Sequence, residues 1–335
     1  MEKICAAPFR ELETNSEGDA AFCCTGHIKQ LFIGNMYKEG FSEFWNSPLA
    51  VEIREKILNG DYSMCDKNIC YALHNPDSVF VEKTPDMKPV MEKGPETVKL
   101  MHDSECNARC IICRDEIYRR TPEELEDLNS KIPTIFMPML KDAKIVILNA
   151  AGDPFASRHN VELIKEINKN CPQVKYEFHT NGILASENMI NRLGILDKIH
   201  KVIVSIHATT KETYEKIVVD GNFDKLMTNI SFLADLHRKG KIDDLDLCFV
   251  VTAFNYQEMP AFLEQAKKLG AKAYFWEYRT QGHAKNIPYE VLAVHEPTHK
   301  DYPKLLEVLK DEIFDSVDYG PLHPVLYNLR QDALK

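Results

Sequence analysis

No apolar run in the 335-residue sequence approaches the roughly 20 residues that a membrane-spanning helix requires, which excludes a helical membrane protein. The opening stretch "MEKICAAPFRELE" has no apolar core of the kind a secretory leader carries. No signal peptide is therefore expected, and the cytoplasm is the default compartment. Excess positive charge is missing as well: 41 Lys and Arg stand against 51 Asp and Glu, for a net charge of −10. Without a basic face to follow a phosphate backbone, nucleic acid is not an expected partner, and neither is a membrane. There is no internal repeat and no low-complexity tract. What remains is ordinary globular composition, 44% hydrophobic and 27% charged, long enough for one large domain and a smaller one.

Cysteine, by contrast, is plentiful. Ten are present, and in a reducing compartment clustered thiols bind metal or do redox chemistry more often than they form disulfides. Cys5, Cys23, Cys24, Cys65 and Cys70 lie before residue 71, Cys106, Cys110 and Cys113 form one tight run, and Cys171 and Cys248 stand alone.

Residues 1–74 show little periodicity except "SEFWNSPLAVEIREKILNG", which predicts one amphipathic helix with Ile53, Ile57 and Leu58 inward and Gly60 at its end. The segment 75–95 holds Pro76, Pro85, Pro89 and Pro95 and reads as an extended linker and domain boundary. A regular alternation follows. The runs "TVKLM", "KIVILN", "KYEFHT", "KVIVSIH", "LDLCFVV" and "KAYFWEY" read as fully buried strands, and segments of helical period lie between them. Such alternation implies a parallel sheet with right-handed crossovers, either doubly wound or curled toward a barrel. Ligands in both architectures sit at the C-terminal ends of the strands. Residues 284–335 supply one further helix, "PKLLEVLKDEIF", and a tail with no assignable element.

The run "SECNARCIIC" carries Cys106, Cys110 and Cys113 just after the first of these strands. A structural zinc takes four protein ligands, and a four-iron cluster held by four thiolates is likewise closed. Three thiolates leave one iron open, which is what a catalytic metal site requires. In this position the run resembles that of the radical S-adenosylmethionine enzymes. The resemblance implies a partial (β/α)6 TIM-like barrel over residues 96–283. It also implies a catalytic 4Fe-4S cluster on Cys106, Cys110 and Cys113, whose open iron chelates S-adenosylmethionine. Ile112 departs from the aromatic residue usual before the last cysteine, and its apolar side chain is expected to pack against adenine.

Later strand ends continue the resemblance. In "ILNAAGDPF", Gly152 and Asp153 occupy the place of a Gly-Gly-Glu-like element that receives the cofactor's ammonium group. In "FHTNG", Thr180 and Asn181 are expected to line the cofactor pocket, although Asn181-Gly182 is an equally good turn. In "VSIHATT", Ser205 is the candidate for the ribose hydroxyls, and His207 reads as a loop residue. Glu277 and Arg279, at the end of the sixth strand, are either substrate contacts or a solvated pair.

Cys5, Gly18 and Cys23, with "IGN", "FWNSPLAVEIREKILNG" and the pair Cys65 and Cys70, resemble the SPASM and twitch auxiliary-cluster modules of the same superfamily. A second 4Fe-4S cluster on Cys5, Cys23, Cys65 and Cys70 is implied, with Cys24 the spare or substitute ligand. Structural zinc could use the same thiolates. In most relatives such a module follows the radical domain, and here it precedes it.

Cys248 shares the parity of Val250 and Thr252 on the fifth strand. It is either a buried small residue or a hydrogen donor to a substrate radical. The lone Cys171 is expected to be structural. The expectation is thus an oxidoreductase that generates a 5′-deoxyadenosyl radical and abstracts hydrogen from a peptide or small-molecule substrate. It would be served by an electron donor such as flavodoxin or ferredoxin. An epimerase using Cys248 and a non-catalytic iron–sulfur electron carrier are the alternatives.

Overall fold

The computed structural model describes residues 3–23, 32–67, 70–74, 76–148, 151–280, 284–315 and 322–335. Two compact units are present. The first comprises Met1–Ser104, Arg120–Gly152 and Ser157–Tyr176, and the second Glu105–Arg119, Asp153–Ala156 and Glu177–Lys335.

In the first unit, β1 (Lys3–Ile4) pairs antiparallel with β5 (Val81–Glu82). The remaining strands are β2 (Glu11–Thr14), β3 (Asp19–Ala21), β4 (Gly34–Asn35), β6 (Thr97–Leu100) and β7 (Ile145–Leu148), in the order β7-β6-β2-β3-β4. β2 runs parallel to β6, and β3 and β4 add antiparallel. This pairing puts the expected boundary at 75–95 inside the first unit. The segment is not a bare linker either. It holds the short helix Pro76–Val79 and β5, while Lys93 O and Met91 O accept hydrogen bonds from Trp45 Nε1 and Asn46 Nδ2.

Gly18, in the turn between β2 and β3, has φ +85, and a Cβ there would lie 2.3 Å from the Tyr37 ring, so only glycine fits. The helix expected over "SEFWNSPLAVEIREKILNG" is two helices, Phe41–Trp45 and Pro48–Leu58. They break where Ser47 Oγ caps the second by accepting from Ala50 N at 3.2 Å. Ile53 and Ile57 are buried as expected, but Leu58 is only half-buried, and Arg54 is fully buried. Its guanidinium lies over the rings of Phe22 and Trp45 and donates to Pro8 O, Asn46 Oδ1 and Pro89 O.

The second unit carries β9 (Ile199–Ser205), β10 (Asp244–Val251) and β11 (Lys272–Glu277) beside β8 (Lys175–Thr180), in the order β11-β10-β9-β8. β9, β10 and β11 are parallel. These strands are not buried on both faces. Val202, Val204, Leu247, Phe249, Val251 and Phe275 are closed off, and Phe262 of the helix Met259–Leu269 packs on Phe249 and Phe275. Ile203, Ser205, Cys248, Val250 and Tyr274, on the face away from the helices, are half-buried, and Trp276 is 43% exposed. The tail forms the helix Pro324–Ala333, and Leu322 bridges to Phe275.

Along the chain, β6 to β11 alternate with helices, giving an α/β fold with a small N-terminal cysteine-rich region. Among the described residues, no helix is long and apolar enough to cross a membrane.

Candidate active site

The loop 105–119 belongs to the second unit and carries the three-cysteine run. Backbone bonds fix it against the chain after the helix Lys211–Ile217: Ile111 N donates to Ile217 O at 2.9 Å, and Val219 N donates to Arg109 O at 2.9 Å. Arg109 adds an ion pair to Asp220 at 3.3 Å. Cys113 N and Arg114 N both donate to Cys110 O, which winds the cysteines into one turn. Ile112 and Cys106 are buried, and Cys110 and Cys113 half-buried.

Burial pushes the Cys110 thiol well up, and the nearby Cys113 and Cys106 raise it further. Cys106 is pushed up by burial and then by Asp153. Gathered, desolvated thiols that repel one another's charge suit a cationic cluster, which stabilises all of them as thiolates. Among the described residues, no three Cys, His, Asp or Glu side chains converge as the ligands of one small ion do. A cubane instead distributes its ligands over several irons.

Asp153 is 2% exposed and accepts from Thr180 Oγ1 at 2.7 Å, Asn181 N at 2.8 Å, Phe155 N at 3.1 Å and Ala156 N at 3.2 Å. Burial raises its pKa, and these donors pull it back. Asp153 N donates to Glu105 O at 2.8 Å, one residue before Cys106. Asn181 closes the network, its Nδ2 reaching Cys106 Sγ at 3.7 Å and Asn107 Oδ1 at 2.9 Å. Four of the expected positions, Cys106, Asp153, Thr180 and Asn181, therefore share one hydrogen-bonded network. Gly152 immediately precedes it in a half-buried turn.

Ser205 ends β9 and pairs in register with Cys248, which in turn pairs with Tyr274, so all three lie on the half-open inner face. Burial lifts the Cys248 thiol to about 12. His207 is more than the loop residue expected. It has φ +59, is 6% exposed, and its Nδ1 accepts from Val250 N at 3.0 Å. Glu277, 3% exposed at its side chain, pairs with Arg279 and with His323 of the tail. Asn107 and His323 carried no signal in the sequence, because their roles come from distant chain segments.

In the first unit, Cys5, Cys23, Cys65 and Cys70 are half-buried. Burial raises Cys5 to about 11, opposed by the Ala7 N–H and reinforced by Cys65 and Cys70. Cys23 is pushed up by burial and by the other three. The four thiols thus form one electrostatic group. Cys24 lies outside the described residues. Cys171 is buried at the end of the helix Arg158–Asn170, its N–H donating to Ile167 O.

A family model for the SPASM iron–sulfur cluster-binding domain matches residues 5–71 and so spans these four cysteines. A probable GTP 3′,8-cyclase of Saccharolobus islandicus is 27% identical over 180 residues, covering 52% of this chain and 54% of that one. The Saccharolobus solfataricus protein of the same description is 26% identical over 184 residues. Residues 5–71 thus match the SPASM iron–sulfur cluster-binding domain.

The chain spans about half the length of those relatives. Among solved structures it is similar to Streptococcus suis SuiB bound to S-adenosylmethionine, at 14% identity and TM-score 0.47, over 84% of this chain and 62% of that one. It is also similar to anSMEcpe with bound AdoMet and Cp18Cys peptide, at 19% identity and TM-score 0.46, over 68% and 62%.

Proposed function

We propose that the enzyme cleaves S-adenosylmethionine reductively to a 5′-deoxyadenosyl radical, which takes a hydrogen atom from a peptide or small-molecule substrate. The substrate radical would then pass an electron to the cluster that the SPASM-domain cysteines would hold and release a proton to solvent, an oxidative modification. Cys106, Cys110 and Cys113 hold the catalytic cluster, and Asp153 accepts the cofactor's ammonium group. Thr180 and Asn181 fix that carboxylate in place, Ser205 meets the ribose, and Ile112 packs against the adenine. Cys5, Cys23, Cys65 and Cys70, with Cys24 as substitute, hold the second cluster. An electron donor such as flavodoxin or ferredoxin serves the enzyme in the cytoplasm.

The observation that carries this reading is Asn181, which donates from its backbone to Asp153 Oδ2 and from its side chain to Cys106 Sγ. A carboxylate is thereby tied to a cluster cysteine, where an amine chelating the open iron would need an acceptor. Asp153→Ala, reconstituted anaerobically and reduced with dithionite, should retain its iron yet form at least tenfold less 5′-deoxyadenosine. Undiminished formation would remove Asp153 from the site. Absence of 5′-deoxyadenosine from wild-type protein with intact clusters would instead favour an electron carrier.

Epimerisation is the second reading, supported by Cys248 on the inner face beside Ser205. Cys248→Ala should then stop deuterium uptake from solvent into product, whereas turnover that persists without such uptake favours the oxidative reading.

A further inference from the structure

The chain leaves the first unit after Ser104 and returns at Arg120, then leaves again after Gly152 and returns at Ser157. The first excursion carries the three cysteines and the second carries Asp153. The first-unit residues at their ends are joined to one another. Asp103 Oδ1 accepts from Arg120 Nε at 3.0 Å, and Asp103 Oδ2 accepts from Ser157 Oγ at 2.5 Å. Arg158 Nη2 donates to Arg120 O at 2.6 Å. Ser157 Oγ also accepts from Asn160 N at 2.9 Å, so the junction rests on the N-terminus of the helix Arg158–Asn170. The Asp103 side chain has no exposure, and that of Arg120 is 18% exposed.

From this we infer that Asp103 is a positioning residue. Paired with Arg120 and Ser157, it clasps the bases of the cysteine loop and of the Asp153 turn, and so holds the loop in its cluster-binding shape. Pinning both ends of a loop removes most of the conformations open to a chain tethered at one end. The bonds at Ile217 and Val219 hold the middle of the same loop, Glu105 O accepts from Asp153 N near its start and Arg119 Nη1 donates to Ala156 O at its end. The clasp joins the chain just outside those ends. A buried carboxylate bound to a guanidinium suits this task, because losing one partner leaves a desolvated polar group unpaired.

The proposal rests on the reading of residues 106–113 as cluster ligands only for its last measurement. Hydrogen exchange is followed on the full chain, before and after anaerobic reconstitution. Asp103→Ala should speed exchange across 104–119 about tenfold or more while β9–β11 stay as in wild type. Asp103→Asn keeps one oxygen to accept from Arg120 Nε, while its Nδ2 can only donate toward Ser157 Oγ, and should recover part of the protection. In reconstituted Asp103→Ala, the reduced-cluster electron paramagnetic resonance signal that shifts on adding S-adenosylmethionine should become heterogeneous. Unchanged exchange over 104–119, acceleration spread evenly over the molecule, or an unchanged spectrum would each overturn the clasp. Should Asp103→Ala fail to fold, Arg120→Lys, which keeps the charge and loses the Nε bond, is read the same way. A wild-type chain that binds no iron at the loop would refute the site reading and leave the exchange result standing.

Discussion

Thr180 Oγ1 donates to Asp153 Oδ2 while also accepting from Gly182 N at 3.0 Å, so one hydroxyl ties the Asp153 turn to the end of β8. Thr180→Val keeps the shape and removes both bonds. It should cost about 1–3 kcal/mol in urea denaturation, since Gly182 N loses that acceptor and Asp153 Oδ2 keeps only its bond from Asn181 N. Thr228→Val on the exposed face of its helix should cost less than about 1 kcal/mol.

His207 sets a pH dependence. Burial depresses its pKa from 6.5 to about 4. The unfolded chain therefore binds a proton below pH 6.5 that the folded chain refuses until about pH 4, and stability falls on acidification through that window. The full loss attributable to this ring is about 3 kcal/mol. Asn accepts left-handed backbone, and its side-chain oxygen still faces the Val250 N–H, so His207→Asn should fold and show a correspondingly shallower decline between pH 6.5 and 4. An identical decline in the variant would assign the effect elsewhere, for example to His102 or His295, buried imidazoles whose pKa burial also depresses.

The two cysteine groups should lose iron independently. Cys106→Ala and Cys65→Ser are each expected to lower iron by up to about four atoms per chain after anaerobic reconstitution. Only the first should abolish the spectral response to S-adenosylmethionine. Zinc recovered in place of iron from the Cys106→Ala variant would show the N-terminal site to be a structural zinc site.

Arg54 is buried with neutral partners, between two aromatic rings and against Pro8 O, Asn46 Oδ1 and Pro89 O. Burial lowers its pKa to about 9, still well above neutrality, so it stays charged. Arg54→Met fills much of the volume but leaves three acceptors unmet. Denaturation should show a loss of about 3–5 kcal/mol, and Arg54→Lys, which lacks the planar fork, should restore only part of it.

The six strands and the helices between them were legible because each follows from local period: "LDLCFVV" becomes β10, and "NFDKLMTNISFLADLHRKG" contains the helix Phe223–Arg238. The cysteine run was legible because its three cysteines lie within eight residues. Ser47 was misread, since an apolar stripe continues across it and only its cap to Ala50 splits the helix. Residues 75–95 were misread too: prolines marked them as linker, whereas the partners of Met91 and Lys93 lie more than forty residues earlier.

By itself the sequence determined the α/β class, the order of strands and the two cysteine groups, all properties of residues near one another along the chain. The tertiary structure alone decided that Asn181 reaches both Asp153 and Cys106, that Arg54 turns inward, and that Asp103 meets Arg120 and Ser157. Those contacts join positions seventeen to seventy-five residues apart, or pay a buried charge's desolvation with distant carbonyls. No local pattern encodes them, because hydrogen bonding between remote side chains is fixed by how the elements pack and leaves no periodic trace in the sequence.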